Sequence, residues 1–435
     1  MKVEPRSLQG FMELMPNEQV LFNKMKSIIE DTYKKYGFLP LDTPVIEYSE
    51  VLLAKAGGET EKQIYRFMKG DNDLSLRFDL TVPLAKYVAK RYNELIFPFK
   101  RYQIGKVFRG ERPQKGRYRE FYQCDIDVVG NEELPIAYDA EIPTIIYEIF
   151  RKLNIGDFVI RINNRKILNG LFSYLELPSP TECLRIIDKM EKIGRLNVIK
   201  ELQALNIENE KIEYLLDFMS ITGTNNEMLD ELEKKNISNE EYKKGLSEIR
   251  YVINYLQKVI DEKYFKIDLT IARGLDYYTG TIYETVLVDH KEIGSVCSGG
   301  RYDDLAAYYT DKKLPGVGIS IGLTRLFSQL LDNEIIKPSD AQAIDVLIIP
   351  MDEDITYSLE VAKRLREEDI KTEIYYLNKG IKQKFKYADR IKCPYVIILG
   401  ADEVSNNLVT IKNMNEGSQK TITLDEAITL LKQTH

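Results

Sequence analysis

"FRGERPQKGRYREFYQCDIDVVG", residues 108–130, passes through Arg109, Arg112, Lys115, Arg117 and Arg119, then turns from basic to an alternation of acidic and apolar side chains. In a strand, successive side chains point to opposite faces, so Gln123, Asp125 and Asp127 share one face and Tyr122, Cys124, Ile126 and Val128 the other. The preceding stretch, "RYQIGKVFR" (101–109), has the same rhythm, and the pair reads as two antiparallel strands joined by the basic loop 110–120. Arginine is a permanently charged planar fork suited to phosphate, whereas carboxylates suit an ammonium or a protonated ring. One hairpin could therefore hold a phosphate and a cationic small molecule side by side. The plainer reading, a solvated ribbon of surface ion pairs, is weakened because the same vocabulary returns in "LRFDLT" (76–81), "ARGLDYYTG" (272–280) and "GLTRL" (322–326).

Working outward, residues 17–36 carry Leu21, Met25, Ile28 and Ile29 at helical spacing before Gly37, and "TPVIE" (43–47) reads as a strand. The segment 63–79 alternates on both sides of Gly70, which predicts a hairpin whose second arm turns Leu74, Leu76 and Phe78 one way and Ser75, Arg77 and Asp79 the other. Together these strands predict one antiparallel sheet with a polar working face. From 180 to 260 the chain is charged and helix-forming, as an inserted helical module would be; strand pattern returns at 266–288, 295–305 and 316–322, the last feeding a helix. The polar segment 332–342 reads as a linker. Beyond it, "IDVLIIP" (344–350), "KTEIYYL" (371–377) and "PYVIILG" (394–400) alternate with helical stretches, which predicts a small parallel α/β domain at 343–435. The expected division is thus a catalytic core at 1–179 and 261–331, the insertion at 180–260, and the terminal domain.

A chain of 435 residues is long for a single core. It has no apolar run of membrane-spanning length and no secretory-type apolar segment behind "MKVEPRSLQG", so a cytoplasmic location is expected. The net charge of −7 excludes a globally basic nucleic-acid coat but permits basic patches. Cys124, Cys183, Cys297 and Cys393 form no CxxC pair and read as reduced thiols; the metal content stays open. Histidine occurs only at His290 and His435, which favours chemistry needing no imidazole base, such as activation of an ionised carboxylate. "GVGISIG" (316–322) does not fit the dinucleotide fingerprint, and no G-x-x-x-x-G-K-[ST], HExxH or GxSxG motif is present.

Over nearly its whole length the chain resembles the histidyl-tRNA synthetases, class II aminoacyl-tRNA synthetases. "GFLPLDTPVIE" with Pro44 resembles class II motif 1, the stretch 108–130 motif 2, and "GVGISIGLTRL" motif 3; "ARGLDYYTGTIYE" and "CSGGRYDDL" resemble the two more specific histidine boxes. The resemblance implies an α+β catalytic domain built on an antiparallel sheet, a helical insertion and a C-terminal α/β anticodon-binding domain. It implies formation of histidyl-adenylate from histidine and ATP with Mg2+, transfer to the 3′ end of tRNA(His), and a homodimer. Arg109 would take the α-phosphate and the amino-acid carboxylate, Glu111 the adenine, Arg325 the γ-phosphate, and Arg273 would be a second cation at the α-phosphate. Asp79, Leu80, Thr81 and Gln123 would surround the α-amino group; Asp127, Tyr277 and Tyr278 would grip the imidazole. Arg112 and Gln114 would read the acceptor end of the tRNA, at the extra 5′ nucleotide of tRNA(His) and its partner. Rival readings are the catalytically inactive paralogue that regulates ATP phosphoribosyltransferase, and a class II enzyme for glycine or threonine.

Overall fold

The structure is a computed structural model that describes residues 2–54, 59–112, 116–187, 189–271, 278–338, 343–352 and 355–433. It divides into two compact units: Met1–Glu13 with Met25–Ile335, and Leu14–Lys24 with Ile336–His435.

In chain order the strands of the first unit are β1 (Leu39–Pro40), β2 (Ile46–Tyr48), β3 (Arg66–Lys69), β4 (Asn72–Leu76), β5 (Phe99–Phe108), β6 (Glu120–Val129), β7 (Phe158–Asn164), β8 (Phe265–Ile267), β9 (Thr281–Leu287), β10 (Cys297–Tyr302) and β11 (Gly316–Gly322). Among the described residues, eight of them form one sheet ordered β1-β5-β6-β11-β10-β9-β7-β8, antiparallel except at β1–β5 and β7–β8. The expected hairpin is its centre: β5 and β6 pair with Arg101 opposite Asp127 and Gly105 opposite Gln123. On the other side of β6 lies β11, with Gly318 opposite Asp127 and Ser320 opposite Asp125.

The face away from the acidic row is covered by helix Ala137–Leu153, whose Ile142, Ile145, Ile146, Ile149 and Phe150 recur at i, i+3, i+4 and are essentially unexposed. Pro143 lies inside this helix and has no N–H to offer the carbonyl of Asp139 four residues back. That carbonyl instead accepts the Tyr283 hydroxyl at 2.7 Å, tying the helix to β9. Tyr33, fully buried on helix Pro16–Lys35, likewise donates to the Cys124 carbonyl of β6.

The hairpin at 63–79 forms, with β3 and β4 antiparallel, but not in the same sheet: it joins β2 in a separate three-stranded sheet ordered β2-β4-β3. Of the two faces of its second arm, the polar one is the more buried. Ser75 and Arg77 are buried because partners wait for them: Ser49 Oγ lies 2.8 Å from Ser75 Oγ, and Arg77 reaches the Lys106 carbonyl at 2.9 Å, Asp42 at 3.2 Å and the Thr43 carbonyl. Tyr48, Leu74 and Phe67 line up across the three strands, beside Ile46 and Leu76, and Ile46, Tyr48 and Phe67 are exposed.

Helices fill the region between Pro180 and Leu256, ending with Glu240–Leu256. That last helix packs closely on helix Arg165–Tyr174, and its Glu248 receives hydrogen bonds from Asn164 and Lys166.

The second unit carries β12 (Val346–Pro350), β13 (Thr372–Ile374), β14 (Tyr395–Leu399), β15 (Leu408–Asn413) and β16 (Gln419–Thr423), ordered β13-β12-β14-β15-β16. Only β13, β12 and β14 are parallel; β15 and β16 add antiparallel, so the expected all-parallel sheet is in fact mixed. Both faces of β12 are buried. Val346 and Ile348 pack toward helices Thr356–Glu367 and Leu424–Gln433, and Leu347 and Ile349 toward helix Ile381–Arg390.

Candidate functional site

A cleft of about 1260 Å³ opens over the acidic row of β6 and the glycine-rich strand β11. Strand alternation brings Gln123, Asp125 and Asp127 to it together, and the turn into helix Thr81–Lys90 adds Asp79 and Thr81. Gly318 is what lets Asp127 lie across the sheet: a Cβ there would come within 2.4 Å of Asp127 Oδ1 and 2.3 Å of the Ile126 carbonyl.

At the acidic end, Asp127 is nearly unexposed and held on both oxygens. Arg101 Nη2 is 2.6 Å from Oδ2, and the Tyr302 hydroxyl donates to Oδ1 at 2.8 Å. Burial pushes the Asp127 carboxyl up to about 6, with Arg101 opposing. Asp79 accepts the Val82 N–H at 3.0 Å on Oδ1, while its buried Oδ2 finds no protein partner; burial raises it to about 6, against Arg109 and Arg101. Gln123 donates to Ser320 Oγ at 2.7 Å and leaves Oε1 unpaired. Buried acceptors left open in a cleft are what a ligand's N–H groups would satisfy.

The other end is cationic. Arg109 donates Nε to the Phe78 carbonyl at 3.1 Å and stacks its guanidinium over Phe121, 5.1 Å from the ring centre. Glu111 is bridged by Arg117 at 3.3 Å, and its carbonyl accepts Arg119 Nε. Arg325, in the first turn of helix Leu323–Asp332, is oriented by the Ile293 carbonyl at 2.7 Å. Burial lowers its pKa and so does Arg117, so among the described residues like-charged guanidinium groups share this end, an arrangement that a polyanion relieves.

Of the residues singled out from sequence, Asp79, Thr81, Arg109, Glu111, Gln123, Asp127, Tyr278 and Arg325 all line this cleft. Leu80 does not: its side chain is fully buried, and what it offers is a carbonyl that accepts Arg101. Arg112 is exposed and outside the cleft lining. Arg273, Tyr277 and Gln114 lie outside the described residues. Sequence reading left out Arg101 and Tyr302, the two residues that hold Asp127. It also left Asp125 without a role, although alternation had set it on the working face.

Comparison with known proteins adds lineage to this geometry. Residues 10–326 match the histidyl-tRNA synthetase family and residues 345–434 an anticodon-binding domain. The chain is 56% identical to the histidine–tRNA ligase of Clostridium tetani over 99% of its own length and 98% of the relative's, and 48% identical to that of Finegoldia magna over 99% and 100%. A crystal structure of histidyl-tRNA synthetase from Nostoc sp. PCC 7120 superposes with a TM-score of 0.93 at 39% identity, covering both chains completely. An ATP phosphoribosyltransferase regulatory subunit/histidyl-tRNA synthetase from Bacillus halodurans C reaches a TM-score of 0.74 at 18% identity over 89% of this chain and 97% of its own, a likeness of fold alone. Matched from one end to the other by sequence and by fold, the chain belongs to the histidyl-tRNA synthetase family.

Proposed function

We infer that the protein is a histidine–tRNA ligase: it joins histidine to ATP as histidyl-adenylate and passes the aminoacyl group to the 3′ end of tRNA(His). The observation that carries this reading is one cleft with unpaired buried acceptors on Asp79 and Gln123 at one end and Arg109 and Arg325 at the other. The α-ammonium of histidine would sit against Asp79, Thr81 and Gln123, and its ring against Asp127 and Tyr278, with Tyr277 beside them. ATP would lie over Arg109, with its adenine near Glu111 and its γ-phosphate at Arg325.

The substrate carboxylate is itself the nucleophile and is ionised at neutral pH, so no general base is required. As it attacks the α-phosphorus, charge grows on the phosphoryl oxygens and pyrophosphate leaves. Cations fixed beforehand stabilise that charge more than they stabilise the bound substrates. Arg109 has the placement for this role, since Phe78 and Phe121 fix its guanidinium in advance; Arg273 would be its partner. Among the described residues no group of three or more His, Cys, Asp or Glu forms a metal cage. Magnesium, where present, would supply further positive charge at the ATP phosphates, beside Arg109 and Arg325.

We read the apolar face of β2, β4 and β3 as the surface that pairs two copies into a homodimer, and 343–435 as the part that meets the anticodon. Among the described residues no helix is long and apolar enough to cross a membrane, and we take the cytoplasm as the working compartment. The regulatory-paralogue reading is disfavoured by a cleft that gathers Asp79, Arg109, Gln123, Asp127 and Arg325 and by end-to-end likeness to ligases. The test is ATP–pyrophosphate exchange with each amino acid in turn. Exchange driven by histidine alone is expected; no exchange would turn the reading to the regulatory paralogue, and exchange driven by glycine or threonine to another class II enzyme.

A further inference from the structure

Behind the acidic row lies a cation that does not reach the cleft. Arg101 is unexposed on β5, directly opposite Asp127, and binds it at 2.6 Å while also donating to the Leu80 carbonyl at 3.2 Å. Among the described residues its Nε and Nη1 have no hydrogen-bond partner, and neither does Asp125 Oδ1, on the next residue of the same face, although Arg101 acts electrostatically on Asp125. Buried charged donors and a buried carboxylate oxygen left open in one neighbourhood call for an enclosed water or an alternative pairing.

The charge count sharpens the point. Asp125 and Asp127 both feel the guanidinium of Arg101, with Asp79 close by between Arg101 and Arg109, and carboxylates this close in a medium of low dielectric do not all ionise together. Asp127 has the short ion pair and the phenol; Asp125 has the open oxygen. Among the described residues, the groups that face Asp127 are Arg101 from β5, Tyr302 from β10, Asp125 from its own strand and Asp79 from the segment before helix Thr81–Lys90, with Tyr278 acting on Tyr302; β11 brings Gly318 beside Asp127 and Ser320, which lowers Asp125 by hydrogen bonding.

We propose that Arg101 is a positioning residue that determines the specificity of the amino-acid pocket: placed between Asp127 and Asp125, it keeps Asp127 as the charged, oriented acceptor for the substrate ring and leaves Asp125 as the carboxyl that takes up a proton. The inference rests on the reading of this pocket as the histidine site. Burial raises both carboxyls, and Arg101 opposes the rise at each, so the guanidinium acts on both members of the pair.

The test is the pH profile of kcat/KM for histidine in pyrophosphate exchange, for the unaltered protein and for Arg101→Met, Arg101→Lys and Asp125→Asn. Free histidine ionises identically in every assay, so differences between proteins report the protein. Removing a cation in contact with a carboxylate should move the acidic limb of Arg101→Met up by about one pH unit or more. The KM for histidine should rise on the order of tenfold as the charge-assisted grip on the ring is lost, with the KM for ATP changed less than about twofold. Arg101→Lys should fall between, and Asp125→Asn should leave the limb where it is, because Asp125 already carries its proton when Asp127 titrates and the amide stands in for that neutral carboxyl. A higher KM for histidine with an unmoved limb, or an equal rise for ATP, overturns the proposal, since either is what mere packing would give. If Arg101→Met does not fold, Arg101→Lys and Asp125→Asn decide, an unmoved limb in the first or a limb moved down in the second counting against. Absence of histidine-dependent exchange in the unaltered protein would defeat the pocket reading itself, and this proposal with it.

Discussion

Arg301 and Asp139 form an ion pair beneath the cleft, Nε lying 3.1 Å from both carboxylate oxygens and Nη2 2.5 Å from Oδ2, with Asp139 wholly unexposed. Burial pushes the Asp139 carboxyl up and Arg301 opposes it. The same guanidinium donates to the Leu134 carbonyl at 3.0 Å, so β10 is fastened to the start of helix Ala137–Leu153. Removing one partner strands the other charge. Arg301→Met is therefore expected to lower unfolding free energy by about 3–5 kcal/mol. The double variant Arg301→Met/Asp139→Leu should recover much of this in urea unfolding, because no charge is left stranded; equal loss in both would show that the pair acts only through packing.

A second prediction concerns pH. The Asp125 carboxyl has a folded pKa raised from the model-compound value of 3.8 to about 7, chiefly by burial. Between those values the folded state binds more protons than the unfolded state, so this group makes stability fall as pH rises through the window and costs most above it. Asp125→Asn removes that cost. Unfolding free energy measured at pH 5 and pH 8 should show the variant gaining on the unaltered protein as pH rises, by at most about 4 kcal/mol for a shift of this size. A difference that stays constant with pH would show that Asp125 does not carry the proton.

How much of this was legible beforehand depends on how far apart the partners lie. Gln123, Asp125 and Asp127 share a face by strand alternation within five residues, so the acidic row could be read directly. Arg101 could not: beside Lys100 and Lys106 it resembles one more surface cation, and its burial follows from the register that sets it opposite Asp127. Tyr302 reaches Asp127 from 175 residues away, a contact made by the order β6-β11-β10 and not by any local pattern. Alternation set Ser75 and Arg77 on one face of the 63–79 hairpin, but their burial was not legible, since the groups that make it tolerable, Ser49, Asp42 and Thr43, belong to other segments. At β15 and β16 a usable signal was present, with Gly417 at φ +74 turning two alternating runs, but strand–helix alternation upstream pointed to a parallel sheet.

The basic helix of the terminal domain separates into two kinds of lysine, which gives a third prediction. Charge alone groups Lys379, Lys382, Lys384, Lys386, Arg390 and Lys392 together, yet Lys384 is buried and its Nζ donates to the Pro350 carbonyl at 2.5 Å, at the end of β12. Lys384→Ala opens a buried acceptor and should destabilise the second unit by about 1–3 kcal/mol. Lys382→Ala/Lys386→Ala, on the exposed face, should leave stability within about 0.5 kcal/mol and weaken tRNA binding with a shallower salt dependence. Thermal melts and tRNA titrations at several salt concentrations separate the two; unaltered tRNA affinity in the surface variant would remove this face from the RNA contact.

The last prediction concerns Arg112, which sits in the loop between β5 and β6, exposed, a few residues beyond the Arg109 proposed for ATP. That placement suits a group that meets a large ligand arriving at the mouth of the cleft while the small substrates are held inside. Guanidinium can bind phosphate without regard to sequence or can pair with base edges, and the two differ in what they predict. If Arg112, with Gln114, reads the acceptor end of tRNA(His), then replacing both by alanine should leave histidine-dependent pyrophosphate exchange within about twofold, because neither side chain is assigned to the adenylate chemistry. Transfer to tRNA should slow by about tenfold, in line with the 1–3 kcal/mol of a good base contact. The decisive comparison is a tRNA lacking its extra 5′ nucleotide: a base reader loses its target there, so unaltered and variant proteins should converge. Equal slowing on both tRNAs, steeper at low salt, would mean that Arg112 holds phosphate or the shape of the loop and reads nothing.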